Sequence, residues 1–362
     1  MPVYDTPRRR GTEKKSFFSQ SLGLRVSLSV LVASTALVAA NDLRLIEAIK
    51  SRNTETVQSL LKQKVDVNAR QGDGATALHW AVHLSDATTV DLLLRAGART
   101  DVADDTGVTP LYLACLNRQG ALVERLLQSR ANANAALVSG ETALMTCART
   151  GDAAGVKALL ARGASVNAKE PGRDQTALMW AAAQAHPEAV NALLEGGADV
   201  RARSRSYIQT VTSEVTQRAG REELNYDVPR GGSTAILFAA RSGDVGSARL
   251  LIAAGADVND TLPDGASALV VAAHSGNSAV AKVLLDKGAD ANAAAVGYTA
   301  LHAAVLRSDL DLVKVLLAHQ ADPNAQMTKG TPVRRNSQDF ELPKTSYSSL
   351  SRLIDFESLI LS

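Results

Sequence analysis

The chain has 362 residues, 39 basic and 37 acidic groups, 4% aromatics and 2 cysteines. Two cysteines exclude a disulfide-stapled miniature scaffold and any multi-cysteine metal fold. A formal charge of +2 excludes a strongly basic nucleic-acid binder, and alanine, at 61 residues, points to closely packed helices.

Residues 1–40 stand apart. Arg8, Arg9, Arg10, Lys14, Lys15 and Arg25 precede an apolar run from Val26 to Ala40, which ends in the small residues Val38, Ala39 and Ala40. This is the layout of a secretory signal peptide cleaved before Asn41. An uncleaved anchor is the competing reading, although the run falls short of the ~20 residues that span a bilayer. Without residues 1–40 the chain keeps 33 basic and 35 acidic groups, a net charge of −2. The nominal basicity belongs to the leader.

The rest is periodic. A Thr or Ser opens an aliphatic, alanine-rich stretch at Thr76, Thr109, Thr142, Thr176, Thr234, Ser267 and Thr299, at intervals of 33, 33, 34, 58, 33 and 32. A second marker keeps the same intervals: Ala98, Ala131, Ala164, Ala198, Ala256, Ala289 and Ala321. Fixed self-similarity of this period marks a repeat array rather than the two domains that length alone suggests. Each period reads as helix, tight turn, helix, loop. The hydroxyl caps the first helix, and Gly151, Gly243 and Gly276 supply a left-handed turn after it. Paired leucines such as Leu92-Leu93 and Leu126-Leu127 put the second helix against a core. Gly97, Gly163, Gly197, Gly255 and Gly288 end that second helix, and Asp or Asn then turns the chain into a finger.

The strings TPL at Thr109–Leu111, TALH at Thr76–His79 and Thr299–His302, and GADVN at Gly255–Asn259 resemble the ankyrin repeat. Residues 42–69 resemble a degenerate N-terminal capping repeat. The resemblance covers residues 41–325 and implies an all-α ankyrin-repeat solenoid of about eight helix-turn-helix repeats, with β-hairpin-like fingers. Repeats 1–5 then occupy 41–202 and repeats 6–8 occupy 233–325. Arg130 and Gln320 stand where the repeat usually has glycine, a departure that costs on the order of 1 kcal/mol each.

Two interruptions break the period. Residues 203–232 form a long finger insertion rich in strand-forming Tyr207, Ile208, Thr210, Val211, Thr212 and Val215. A β-hairpin and an Ω-like loop both fit, as a partner-contacting arm or as a drape over neighbouring repeats. Residues 326–362 form a non-repeat tail. Its apolar positions at Leu350, Leu353, Ile354 and Phe356 read either as an improvised cap or as the edge of a truncation.

Catalytic signatures are missing from the sequence, and no cofactor or metal site is expected. His79 and His83 have metal-like spacing but lack a following Glu and a third ligand. The resemblance instead implies that His79 and His302 hydrogen-bond within their turns, with His83 on the groove side. Cys115 and Cys147 lie on adjacent first helices. Packing helices about 10 Å apart against a Cα limit of about 7 Å for a disulfide predicts buried free thiols. Trp80 and Trp180 are expected to fill inter-repeat core. Asp104-Asp105 and Glu222-Glu223 read as solvated loop charge.

In the ankyrin repeat, contacts come from the end of the first helix and from the fingers. The matching positions here are His83, Leu84, Leu116, Asn117, Arg149, Thr150, Gln184, Arg241, Ser242, His274 and Arg307, with Tyr207 on the insertion. Arginine is enriched in interface hot spots, which favours Arg149, Arg241 and Arg307. Alanine at Arg149 or Arg241 is expected to weaken partner binding without changing thermal stability.

The functional expectation is a secreted or periplasmic, bacterial, non-catalytic scaffold, monomeric alone. It would bind an unidentified protein partner, with no nucleic acid and no membrane beyond an uncleaved signal anchor. An alternative makes it the docking or regulatory N-terminal portion of a larger exported enzyme or redox protein whose C-terminal domain is missing. A third makes it a hydrolase that uses the insertion.

Overall fold

The computed structural model describes residues 42–217, 220–328, 333–335 and 338–340. The expected leader at 1–40 and the amphipathic stretch from Leu350 lie outside them.

Among the described residues, eight helix pairs follow one another. They are α1 (Arg44–Lys50) with α2 (Thr54–Lys62), α3 (Ala77–His83) with α4 (Ala87–Arg95), and α5 (Pro110–Leu116) with α6 (Gly120–Gln128). Next come α7 (Ala143–Thr150) with α8 (Ala153–Ala161) and α9 (Ala177–Ala183) with α10 (Pro187–Glu195). After the insertion come α11 (Ala235–Ser242) with α12 (Val245–Ala253), α13 (Ala268–His274) with α14 (Ser278–Asp286), and α15 (Ala300–Leu306) with α16 (Leu310–Ala318). Odd-numbered inner helices stack on one another, and even-numbered outer helices form a second layer. The last two strands, β3 (Val333–Arg335) and β4 (Gln338–Phe340), lie in the tail.

Local chemistry sets each boundary. Thr109, Thr142, Ser267 and Thr299 accept the backbone N–H three residues on, at 3.2 to 3.4 Å. Pro110 stands at the first helical position, where its fixed φ suits the helix and its missing N–H costs nothing. Asp86, Asp152, Asp244 and Asp309 cap the outer helices in the same way, at 2.9 to 3.1 Å.

The residue nine after each Thr or Ser anchor is left-handed in all seven repeats. It is Gly151, Gly243 and Gly276 in three, but Ser85, Arg118, Ala185 and Ser308 in the others, with φ between 54° and 62°. Arg130 and Gln320 adopt φ of 70° and 65° where the other anchored repeats carry Gly97, Gly163, Gly197, Gly255 or Gly288.

Stacking explains the alanine excess. The residue five after the anchor is Ala81, Ala114, Ala181, Ala239, Ala272 or Ala304, each fully buried; in the fourth repeat it is Cys147. Asparagines tie the fingers together. Asn134 donates to Gly163 O at 3.0 Å and accepts from Ser165 N at 2.7 Å. Asn167 does the same to Gly197 O and Asp199 N, and Asn292 to Gln320 O and Asp322 N.

The expectation of free thiols is overturned. Cys115 and Cys147 form a disulfide, with Cα atoms 4.5 Å apart. Axis spacing was the wrong measure. Cα atoms lie about 2.3 Å off each helix axis, so residues facing each other across 8–10 Å come within about 4–5 Å. Gly155 in α8 completes the site: a Cβ there would lie 2.6 Å from Cys147 Sγ.

The insertion is an antiparallel hairpin of β1 (Ser206–Gln217) and β2 (Gly220–Gly231), with Ser206 opposite Gly231 and Gln217 opposite Gly220. In the tail, β3 pairs antiparallel with β4. The hairpin's foot is stapled to the array. Ser204 and Ser233 exchange two bonds, at 3.0 and 2.9 Å. Arg203 donates to Gly232 O at 2.8 Å and Thr261 O at 3.1 Å, and it pairs with the buried carboxylate of Asp260. Asp260 in turn accepts the Thr234 hydroxyl.

Candidate partner-binding groove

In four of the repeats, the residue four after the anchor projects from the inner helix past the alanine layer. Trp80, Leu113, Trp180 and Phe238 occupy this stripe and are half-buried. The two tryptophans pack on the core as expected, but each also carries a cation from the preceding repeat. Lys50 Nζ lies 4.4 Å from the Trp80 ring centre, and the Arg149 guanidinium lies 5.6 Å from that of Trp180. Arg149 is held there by Glu141 at 3.2 Å. The Glu141 carboxylate also accepts the Thr146 hydroxyl at 2.8 Å.

The predicted groove residues divide by their partners. Asn117 donates to His83 O at 3.3 Å, Thr150 to Cys115 O at 2.9 Å, Ser242 to Ala182 O at 2.9 Å and Arg307 to His274 O at 3.3 Å. Each donates to a carbonyl at the C-terminal end of the preceding inner helix, where the regular helical donors run out. These four side chains therefore tie repeats together. Leu84 is half-buried against the core.

Leu116, Gln184 and Arg241 are exposed. Exposed His83 meets Trp80 edge-on at 5.8 Å. His274 is exposed at its rim, yet its ring lies beside Tyr298 at 6.4 Å. Burial first, and then the Arg307 charge, lowers its pKa. Tyr298 is itself pushed up to about 12 by burial, with Asp264 adding to the effect.

His79 does what its position implies. Its Nδ1 accepts from Thr76 N at 3.1 Å, and its Nε2 lies 3.1 Å from Val108 O in the next finger. His302 repeats the first contact with Thr299 N at 3.2 Å. Among the described residues, no group of His, Cys, Asp and Glu could hold a metal ion, and no helix is long and apolar enough to cross a membrane.

At the hairpin's foot the groove deepens into a cavity of about 510 Å³. Its walls are the finger at Arg173 and Gln175, the strand ends at Tyr207 and Arg230, and the next finger at Leu262–Asp264. Phe238 and Arg241 of α11 form the floor. Tyr207, the insertion residue singled out from sequence, and Arg241, a groove residue, thus line one cavity. Sequence reading missed Lys50, Glu141, Arg173, Arg205 and Phe238. Counting four residues from each anchor would have aligned Phe238 with the two tryptophans.

Three copies of the family described as "Ankyrin repeats (3 copies)" match residues 45–136, 118–204 and 236–327. The crystal structure of the human ASB11 ankyrin repeat domain is similar, with a TM-score of 0.54 and 25% identity. The match covers 68% of this chain and 98% of that one. No curated protein matches the sequence significantly. Since the family matches cover well over half of the chain, with the capped helix pairs, left-handed turns and asparagine-tied fingers in register, the chain belongs to the ankyrin-repeat family.

Proposed function

We propose that this protein is an exported, non-catalytic scaffold that binds a protein partner across the face formed by its inner helices and fingers. Ankyrin repeats are generally protein–protein interaction modules, and their fold is typically non-catalytic. The observation that carries the reading is the groove's side-chain pattern. Leu116, Gln184, Arg241 and Tyr207 stand exposed beside half-buried aromatics, and the polar side chains of the last three have no hydrogen bond among the described residues. Mixed apolar, aromatic and arginine surface of this kind suits an interface core.

Export is supported by the leader's layout and by the Cys115–Cys147 disulfide, a bond that persists in oxidising compartments. The test places a photo-crosslinking amino acid singly at Leu116, Gln184 and Tyr207, and at Arg249 on outer helix α12, in the exported full chain. Partner crosslinks from the first three and none from Arg249 support the reading. Crosslinks from Arg249 alone, or none at any site, overturn it. N-terminal sequencing of the exported protein is expected to begin at Asn41; a retained Met1 overturns cleavage.

A further inference from the structure

We infer that the cavity at the hairpin's foot binds an acidic peptide segment of the partner, with carboxylates flanking an aromatic or aliphatic residue. This inference rests on the protein-binding reading above and specifies its chemistry.

The cavity is built by the insertion, because β1 and β2 supply one wall between two successive fingers. Its charged lining is four arginines, Arg173, Arg205, Arg230 and Arg241, against the single carboxylate of Asp264. The neighbouring acids are already engaged. Asp174 holds Arg205 through two bonds, at 3.0 and 3.1 Å. Glu170 accepts the backbone N–H groups of Gly172, Arg173 and Gln175. Arg173 and Arg241 are both exposed, and neither guanidinium has a hydrogen bond or ion pair among the described residues. Two planar forks of donors therefore line one space that holds a single carboxylate, and further carboxylates match that geometry in bidentate fashion.

The remaining lining is apolar. Phe238 forms the floor, with Pro229, Leu262 and Pro263 at the sides, so a charged group alone would leave half the surface uncovered. About 510 Å³ is within the usual range for a ligand cleft and suits a few side chains. A peptide fits better than a nucleic acid. Without the leader the chain has a net charge of −2, which offers a backbone charged at every nucleotide no long-range attraction.

The experiment measures fluorescence anisotropy with the full chain and three labelled nine-residue peptides. The first has Glu and Asp flanking a central Phe, the second replaces its acids by Gln and Asn, and the third replaces its Phe by Ser. The expected result is at least tenfold tighter binding of the first peptide than of either control, weakening as salt rises. R173A/R241A should lose at least tenfold for the acidic peptide and nothing for the amide control. Neither side chain is bonded among the described residues, so the folded state survives the change, which circular dichroism checks.

Equal affinity for the acidic and amide peptides overturns the inference. So does full binding by R173A/R241A, or equal displacement by inorganic phosphate or an oligothymidine, which would make the cavity a general anion site. The crosslinking from Leu116 and Gln184 does not depend on this cavity. Crosslinks retained alongside failed peptide selectivity sink the acidic-peptide inference alone; loss of both sinks the groove reading as well.

Discussion

The Arg149 guanidinium sits 5.6 Å from the centre of the Trp180 ring, one repeat away, and is held there by Glu141 at 3.2 Å. Arg149 and Arg241 hold the same place in their repeats, but the repeat after Arg241 offers Val271 where Trp180 would be. Arg149→Ala removes a partly exposed ion pair and a cation–π contact, so it should cost about 1 kcal/mol of stability. Arg241→Ala should stay within about 0.5 kcal/mol of the parent. Urea melts of both variants check this. Equal stabilities would show that the Trp180 contact contributes nothing.

The Cys115–Cys147 bond closes a loop of 32 residues between the third and fourth repeats. Chain-entropy reasoning gives such a link about 2–4 kcal/mol. Cys147 occupies the position that is alanine in the other anchored repeats, so Cys147→Ala removes the bond at the expense of only the small gap left beside Gly155. The variant should melt well below the parent under oxidising conditions and match it once the parent is reduced. Peptide mapping without reductant should recover the linked pair. A parent whose melting temperature ignores reductant would show the bond to be unformed or without effect.

The array was legible because its period is written in capping and turn residues whose roles are local. Thr at the helix start, Gly after it and Asn in the finger each act within one repeat or on its neighbour. Contacts set by three-dimensional approach were not legible. The disulfide depended on how closely alanines let two helices face each other. The roles of Asn117, Thr150, Ser242 and Arg307 depended on the carbonyls at a neighbouring helix's C-terminal end. The cavity joins residues from Arg173 to Asp264 through a hairpin whose foot is fixed by Arg203 and Asp260, a long-range pair that no spacing reveals. Strand-forming residues did mark the insertion, yet hairpin and loop could be told apart only by the observed pairing of β1 with β2.

Acid should weaken the fold through its turn histidines. His79 and His302 both have lowered pKa values, with desolvation by burial the leading cause. Each Nδ1 accepts a backbone N–H from its own cap, and a proton there would face that donor. The native state thus favours neutral rings, and the unfolded chain binds more protons once the pH drops below about 6.5. Their contribution is intact above that pH and is lost as the pH falls toward the lower folded values. Urea stability between pH 8 and pH 5 should fall on the acid side, and H79N/H302N should flatten the slope. His274, also lowered by burial, adds to the slope in the same direction. A slope unchanged in the double variant would assign the acid sensitivity elsewhere.

The turn between inner and outer helix is left-handed at Ala185, with φ of 57°, where Gly151, Gly243 and Gly276 serve in other repeats. An L-residue in that region costs about 1–2 kcal/mol from the clash of Cβ with the backbone. Glycine relieves the clash but loses more freedom on folding, by about 0.5–1 kcal/mol. The first effect is larger, so Ala185→Gly should stabilise the chain by roughly 0.5–1 kcal/mol. Gly243→Ala, at φ of 77°, should destabilise by at least as much, since its Cβ would also approach Asn277 to 2.6 Å. Paired urea melts decide the matter. Stabilisation by both changes, or by neither, would mean that factors other than backbone strain set the cost of these turns.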